Sequence, residues 1–207
     1  MTWIKLCGTT NIEDGLRAAS LSVDALGFIF APSPRRVEPA VAKKIILPLP
    51  KTLLKVGVFV DEDPREVLRV AEYCGLNALQ FNGEESPEYC QKFFHTVFKA
   101  IHIRDFENLK DMGKYRDVSI LLDSYSPVQA GGTGKPFPWE VAIKAKEERN
   151  LILSGGLNPL NVREAIMKVR PFGVDVCSGV ESAPGKKDLS KMIEFVKEVK
   201  EADETAG

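Results

Sequence analysis

Short apolar β runs alternate with amphipathic helical runs eight times along the 207 residues, and no shift of composition marks a linker. Polar residues and glycines recur where the β runs stop. These observations predict an α/β fold, a single closed (β/α)8 barrel over residues 1–207. A doubly wound open sheet is the competing arrangement, but it usually needs fewer units.

The first β run, Trp3-Ile4-Lys5-Leu6, stops at Cys7-Gly8, and Asn11 opens a helix with Ile12, Leu16 and Ala19 at helical spacing. Residues 24–30 form the second strand, ended by Pro32 and Pro34; 38–47 the second helix, closed by Pro48 and Pro50; 54–60 the third strand. Asp63-Pro64 starts the third helix with an N-cap and a proline at its first position. Ala78–Phe81 is a short strand before Asn82-Gly83, and Ser86 caps a helix expected to reach about Phe94. Residues 97–103 and 106–115 make the fifth unit, and 119–123 is a strand ending on Asp123. A long loop through Gly131-Gly132-Thr133-Gly134-Lys135 then precedes a helix over about 138–148. Strand 151–154 turns at Gly155-Gly156 into helix 159–170, and strand 174–177 leads to a closing helix from Leu189 to about Glu201. Residues 202–207 are expected to fray.

With a net charge of -1, 44% hydrophobic and 28% charged residues, nothing favours a nucleic-acid or anionic-membrane partner. No signal-like start or spanning apolar run is present, which points to a cytoplasmic protein. Cys7, Cys74, Cys90 and Cys177 are too scattered for a zinc or redox motif. Cys74, Cys90 and Cys177 read as core.

In such a barrel the carboxyl strand ends converge on one mouth, which gathers Cys7, Arg35, Gln80, Asp123, Ser154, Asp175 and the Cys177-Ser178-Gly179 turn. Gly155, Gly156, Ser178 and Gly179 follow strands seven and eight, where barrels commonly seat a phosphate on backbone amides, so a small phosphorylated molecule is the expected ligand. Tight turns alone would also use these glycines. Residues 131–135 lack the spacing of a nucleotide loop and read better as a flap over the mouth, with Lys135 able to aid anion binding. Asp123 closes an apolar run, where burial would favour its protonated form and suit a general acid; capping the next turn is the plainer role. Asp175 is as readily structural as substrate-binding. Arg35 or Arg36 could fork onto a carboxylate or sit solvated at the surface. Cys7 is either a small buried hydrophobe or a thiolate able to accept a proton.

Lys5-Leu6-Cys7-Gly8, Gly27-Phe28-Ile29-Phe30, Ser33-Pro34-Arg35, residues 56–60, Leu121-Leu122-Asp123, residues 131–135, 153–159, 174–181 and 184–188 together resemble the phosphoribosylanthranilate isomerases, in order and over nearly the whole chain. The resemblance implies the Amadori rearrangement of the third step of tryptophan biosynthesis, with no metal or organic cofactor and a phosphorylated small molecule as substrate. Carried onto matching positions, Asp123 is the general acid and Cys7 the general base. Arg35 holds the anthranilate carboxylate, Gln80 and Asp175 contact substrate, and Gly155, Gly156, Ser178 and Gly179 bind phosphate. The chain departs from many relatives at Asn82, where they carry histidine. Whether it is a monomer or a homodimer stays open. The histidine-pathway isomerase is similar to this pattern but pairs two aspartates. Indole-glycerol-phosphate synthase resembles a longer chain with a catalytic lysine.

Overall fold

The computed structural model describes residues 1–103, 106, 109–115, 118–124, 139–148 and 150–206. Eight parallel strands close into a barrel in the order β1 to β8: Trp3–Leu6, Ala25–Ile29, Leu54–Phe59, Ala78–Phe81, Thr96–Ile103, Ser119–Ser124, Leu151–Leu153 and Gly173–Val176. The seam is the pairing of β1 with β8, in register from Trp3 opposite Gly173 to Leu6 opposite Val176. Helices α1 to α7 (Ile12–Ser20, Pro39–Ile46, Pro64–Cys74, Pro87–Cys90, Leu109–Met112, Trp139–Glu148 and Val162–Val169) each follow a strand, and α8, Leu189–Ala206, closes the chain. The barrel expected from the alternation is therefore the fold, and none of the described helices is long and apolar enough to cross a membrane.

Successive residues of a strand face opposite ways, which divides the core in two. Ile4, Leu6, Leu26, Phe28, Leu79, Phe81, Ile120, Leu122, Val174 and Val176 point outward and pack under the helices. Ala25, Val56, Ala78, Phe98, Ala100, Leu121 and Ile152 fill the inside, with Trp3 and Leu54 against them. Trp3 lies 5.7 Å from the Phe98 ring and 6.5 Å from Phe172, so the amino end of the barrel is apolar. The same alternation turns Lys5, Cys7, Gln80 and Asp123 inward, nearer the carboxyl end.

Local chemistry explains most boundaries. Asn11, Asp63 and Ser86 cap α1, α3 and α4 by accepting from Asp14, Arg65 and Tyr89 amides, and Gly75, at φ 73°, ends α3. Four helix boundaries differ clearly from what is expected. The fifth helix, expected over 106–115, spans only Leu109–Met112, and the chain turns at Gly113. The helix expected to reach Phe94 stops at Cys90, because the chain turns there and brings Phe93 back to 5.0 Å from Phe81 and 5.4 Å from Tyr89. Helix α7 starts at Val162, since Asn158 and Asn161 first bind the amides of Leu160 and Asn158 in a turn. The stretch expected to fray continues α8 to Ala206. There Ala202 is buried, and Asp203 accepts from the Thr2 amide at 2.7 Å and the Thr2 hydroxyl at 2.6 Å. After β8 a 3₁₀ turn, Ser178–Val180, leads into a small hairpin of β9, Glu181–Ala183, and β10, Lys186–Lys187, which the alternation did not reveal.

Candidate active site

Cys7 stands one residue beyond β1, its amide donating to Val176 O at 2.8 Å so that the ladder with β8 continues through it. Two residues below on the same inner face, Lys5 is 1% exposed and its Nζ donates to Asp175 Oδ1 at 2.9 Å. Asp175 Oδ2 receives the Ser154 hydroxyl at 3.4 Å, so protein groups engage both oxygens of this carboxylate. Burial pulls the Lys5 pKa down. Asp175 and the Cys7 thiolate more than offset this, and Lys5 remains a cation. A buried cation is thus fixed against the sulfur.

Cys177 sits one residue past β8, half-buried and adjacent to Cys7 across the β1–β8 seam, its side chain on the same inner face. It is not the inert core residue the sequence suggested, because the strand ends before it and delivers it to the rim. The Cys7 pKa is lowered to about 7, first by the hydrogen bond from Cys177. Burial opposes this, and the charge of Lys5 adds to it. The Cys177 pKa moves up instead, from the same hydrogen bond and from burial. Cys90, by contrast, is pushed up to about 11 by burial, as expected of a core thiol.

Arg35 reaches the same corner from the loop after β2. Its Nε and Nη2 clasp Glu181, with Nη2 to Oε2 at 2.7 Å and Nε to Oε1 at 2.9 Å. Arg36 is exposed and pairs with Glu38, which separates the two arginines that sequence left side by side. Lys187, 4% exposed, donates to Cys7 O at 2.5 Å, Cys177 O at 3.0 Å and Glu181 Oε1 at 3.2 Å. The hairpin therefore carries an acid and a base into the barrel seam, and its backbone at Lys187 donates to Asp14 of α1 at 2.8 Å.

Asp123 lies half-buried near the carboxyl end of β6, opposite His102 of β5 in the ladder and facing inward. Gln80 on β4 is 2% exposed. Its Nε2 donates to Asn82 Oδ1 at 2.8 Å, while Oε1 is buried without a partner among the described residues. Such an acceptor is costly unless a ligand satisfies it. The loop 125–138, including the expected flap at 131–135 and Lys135, lies outside the described residues.

The turns after β7 and β8 pack into each other. A Cβ on Gly179 would lie 1.9 Å from Leu157 O, so only glycine allows this approach. Gly155 and Gly156 adopt φ 80° and 70°, and the Asn161 side chain donates to Gly156 O at 3.0 Å, holding the turn against α7. Ser178 and Gly179 open the 3₁₀ turn, where backbone amides lack partners within the helix. The arrangement offers amides from two adjacent loops to one anion.

Of the site residues expected from the sequence, Cys7, Arg35, Gln80, Asp123, Gly155, Gly156, Asp175, Ser178 and Gly179 lie at the carboxyl end of the barrel, and Lys135 lies outside the described residues. Lys5, Cys177, Glu181 and Lys187, which converge on the same corner, are not singled out as site residues by the sequence. Alternation alone could have found Lys5, two positions before Cys7. For Glu181 and Lys187 no local pattern announces partners 146 and 180 residues away.

The chain matches the family model described as N-(5'phosphoribosyl)anthranilate (PRA) isomerase over residues 4–198. It is 48% identical over 204 residues to the N-(5'-phosphoribosyl)anthranilate isomerase of Desulforudis audaxviator, covering 98% of this chain and 100% of that one. The crystal structure of the Thermotoga maritima phosphoribosyl anthranilate isomerase superposes with a TM-score of 0.93 at 44% identity, over 97% of this chain and 100% of that chain. A further similar structure, at TM-score 0.89 and 42% identity over 97% and 100% of the two chains, holds reduced 1-(o-carboxyphenylamino)-1-deoxyribulose 5-phosphate.

Proposed function

The chain belongs to the N-(5'-phosphoribosyl)anthranilate isomerase family, and on that premise we propose that Cys7 and Asp123 carry its reaction as base and acid. The enzyme converts N-(5'-phosphoribosyl)anthranilate into 1-(o-carboxyphenylamino)-1-deoxyribulose 5-phosphate, a step of tryptophan biosynthesis. Asp123 gives its proton to the ribose ring oxygen as the C1′–O bond breaks, and the anthranilate nitrogen supplies the electron pair that makes the Schiff base. The Cys7 thiolate then takes the C2′ proton, leaving an enolamine. Protonation at C1′ by the Cys7 thiol, with the C2′ hydroxyl proton passing back to Asp123, gives the ketone and restores both groups, so no atom or electron is gained or lost overall.

One observation carries this reading. The Cys7 thiol lies beside the buried Lys5 cation, with a pKa brought to about 7, on the same inner rim as Asp123. The amides around Gly155, Gly156, Ser178 and Gly179 hold the phosphate. Arg35 presents Nη1 to the anthranilate carboxylate, since Glu181 engages its other edge. Gln80 offers its unpartnered Oε1 to a substrate donor. Asp175 acts by fixing Lys5 beneath the base, a more indirect part than substrate contact. Solubility in the cytoplasm suits such a biosynthetic enzyme.

The test mixes the protein with freshly made phosphoribosylanthranilate and follows the loss of anthranilate-type fluorescence. Cys7→Ala and Asp123→Asn should each lower kcat by at least about a hundredfold, as expected for removing an acid or base, while ligand binding persists. A variant that keeps near-wild-type turnover would sink the role given to its residue.

A further inference from the structure

The closing seam of the barrel sets two thiols side by side. Leu6 pairs with Val176, and the next residue on each strand is a cysteine. Lys187 Nζ donates to the carbonyls of both, at 2.5 and 3.0 Å, so one buried ammonium fixes the two backbones relative to each other. There is little room to turn away. A Cβ on Gly27 would lie 2.6 Å from Cys7 Sγ, and one on Gly8 would lie 2.9 Å from Cys177 Sγ.

The charged groups packed around the pair decide which sulfur ionises. Lys5 of β1 lies beside the Cys7 sulfur, both side chains against Gly27, with Asp175 of β8 behind it. Lys187 of β10 lies between the two backbones, and Arg35 and Glu181 form an ion pair on the flank of the seam. Cys7 thus has the Lys5 cation beside it, whereas the Arg35 cation next to Cys177 is tied up by Glu181, so Cys177 keeps its proton and can donate it to the neighbouring sulfur.

We propose that Cys177 is a positioning residue for the isomerase reaction, donating its S–H to the Cys7 sulfur and holding it as a thiolate turned toward the substrate. This rests on Cys7 being the base. The opposite movements of the two pKa values, Cys7 down to about 7 and Cys177 up, are what such a donor and acceptor produce. The arrangement keeps the thiolate available near neutral pH in a pocket whose burial alone would protonate it.

The test compares wild type with Cys177→Ala and Cys177→Ser. Iodoacetamide labelling of Cys7, counted by peptide mass as a function of pH, reads its ionisation without any turnover. The labelling midpoint should be near 7 in wild type, stay close to it with serine, and rise by roughly one pH unit with alanine. The ascending limb of kcat/KM should move by the same amount, with about a fivefold loss at pH 7. Cys177→Val serves the same comparison if alanine destabilises the fold. An unmoved midpoint in folded alanine and valine variants, or a serine variant that behaves like alanine, overturns the proposal. A midpoint that moves while the kcat/KM limb stays in place upholds the thiol pair and instead refutes Cys7 as the base.

Discussion

Two buried lysines face opposite sides of the barrel wall, and they serve it differently. Lys5, on β1, points inward, pairs with Asp175 at 2.9 Å and lies beside the Cys7 sulfur against Gly27. Lys99, on β5, lies one residue out of phase with the inward-facing Phe98 and Ala100, and so points outward beneath the loop after β4. Its Nζ donates to Gly83 O at 2.6 Å, to Glu85 Oε2 at 3.0 Å and to Phe81 O at 3.3 Å. Both are 1–2% exposed and each meets one carboxylate. Lys99, however, is held by the carbonyls of Phe81 at the end of β4, Gly83 in the loop after it and Ala100 of β5, while Lys5 adjoins a thiol on the inner rim. Burial and pairing alone do not reveal a functional cation; what matters is whether a titrating neighbour shares the site.

The largest effect should come from Lys5→Met. It removes the cation beside Cys7 and leaves Asp175 buried without it, so the thiolate meets a like charge in place of an opposite one. The Cys7 labelling midpoint should rise by about two pH units or more, and kcat/KM at pH 7 should fall by at least about fiftyfold. The sign is fixed by the chemistry: a base works only above its pKa, so raising that pKa moves the active range upward. A wild-type pH profile in this variant would break the contrast between the two lysines.

Lys99→Met should cost stability instead. Removing one partner of a buried pair typically costs about 3–5 kcal/mol, here with the Gly83 and Phe81 carbonyls also left unsatisfied. Chemical denaturation would show this as a lower midpoint, while the Cys7 labelling midpoint stays near 7. A shift in that midpoint would mean that the two clusters communicate, and that the loop on β4 reaches the base.

The same contrast shows how far the sequence could be read. Strand and helix order, and the rim on which the polar residues gather, follow from periodicity and turn residues, because those signals are local. Cys7, Asp123, Gln80 and the Gly155-Gly156 turn stood out because each lies where a β run stops. Lys5 escaped notice inside an apolar run, and Lys99 is likewise a lysine inside a strand. Only the inward or outward phase separates them, and a neighbouring strand sets the meaning of that phase. Cys177 was hidden by a boundary error of one residue, since strand 174–177 ends at Val176. Glu181 and Lys187 belong to a hairpin too short to leave a periodic signature, and their partners lie at the other end of the chain.

The smallest effect should come from Asn82→Ala, which probes what the Lys99 cluster is for. Glu85 also accepts from the Asp61 amide at 2.8 Å and the Gly83 amide at 2.9 Å, so the cluster shapes residues 82–85. That loop presents Asn82, whose carbonyl meets His102 Nε2 at 3.0 Å and whose side chain fixes the Gln80 amide. With Asn82 shortened, Gln80 loses the bond that orients its free oxygen, and a single neutral hydrogen bond of this kind is worth about 1 kcal/mol. KM for phosphoribosylanthranilate should therefore rise about fivefold, with kcat within twofold and the Cys7 midpoint unchanged. An unchanged KM would remove Gln80 from the substrate contacts and make the Lys99 loop purely architectural. A fall in kcat at constant KM would place this side of the mouth in the transition state, alongside the Lys5 side.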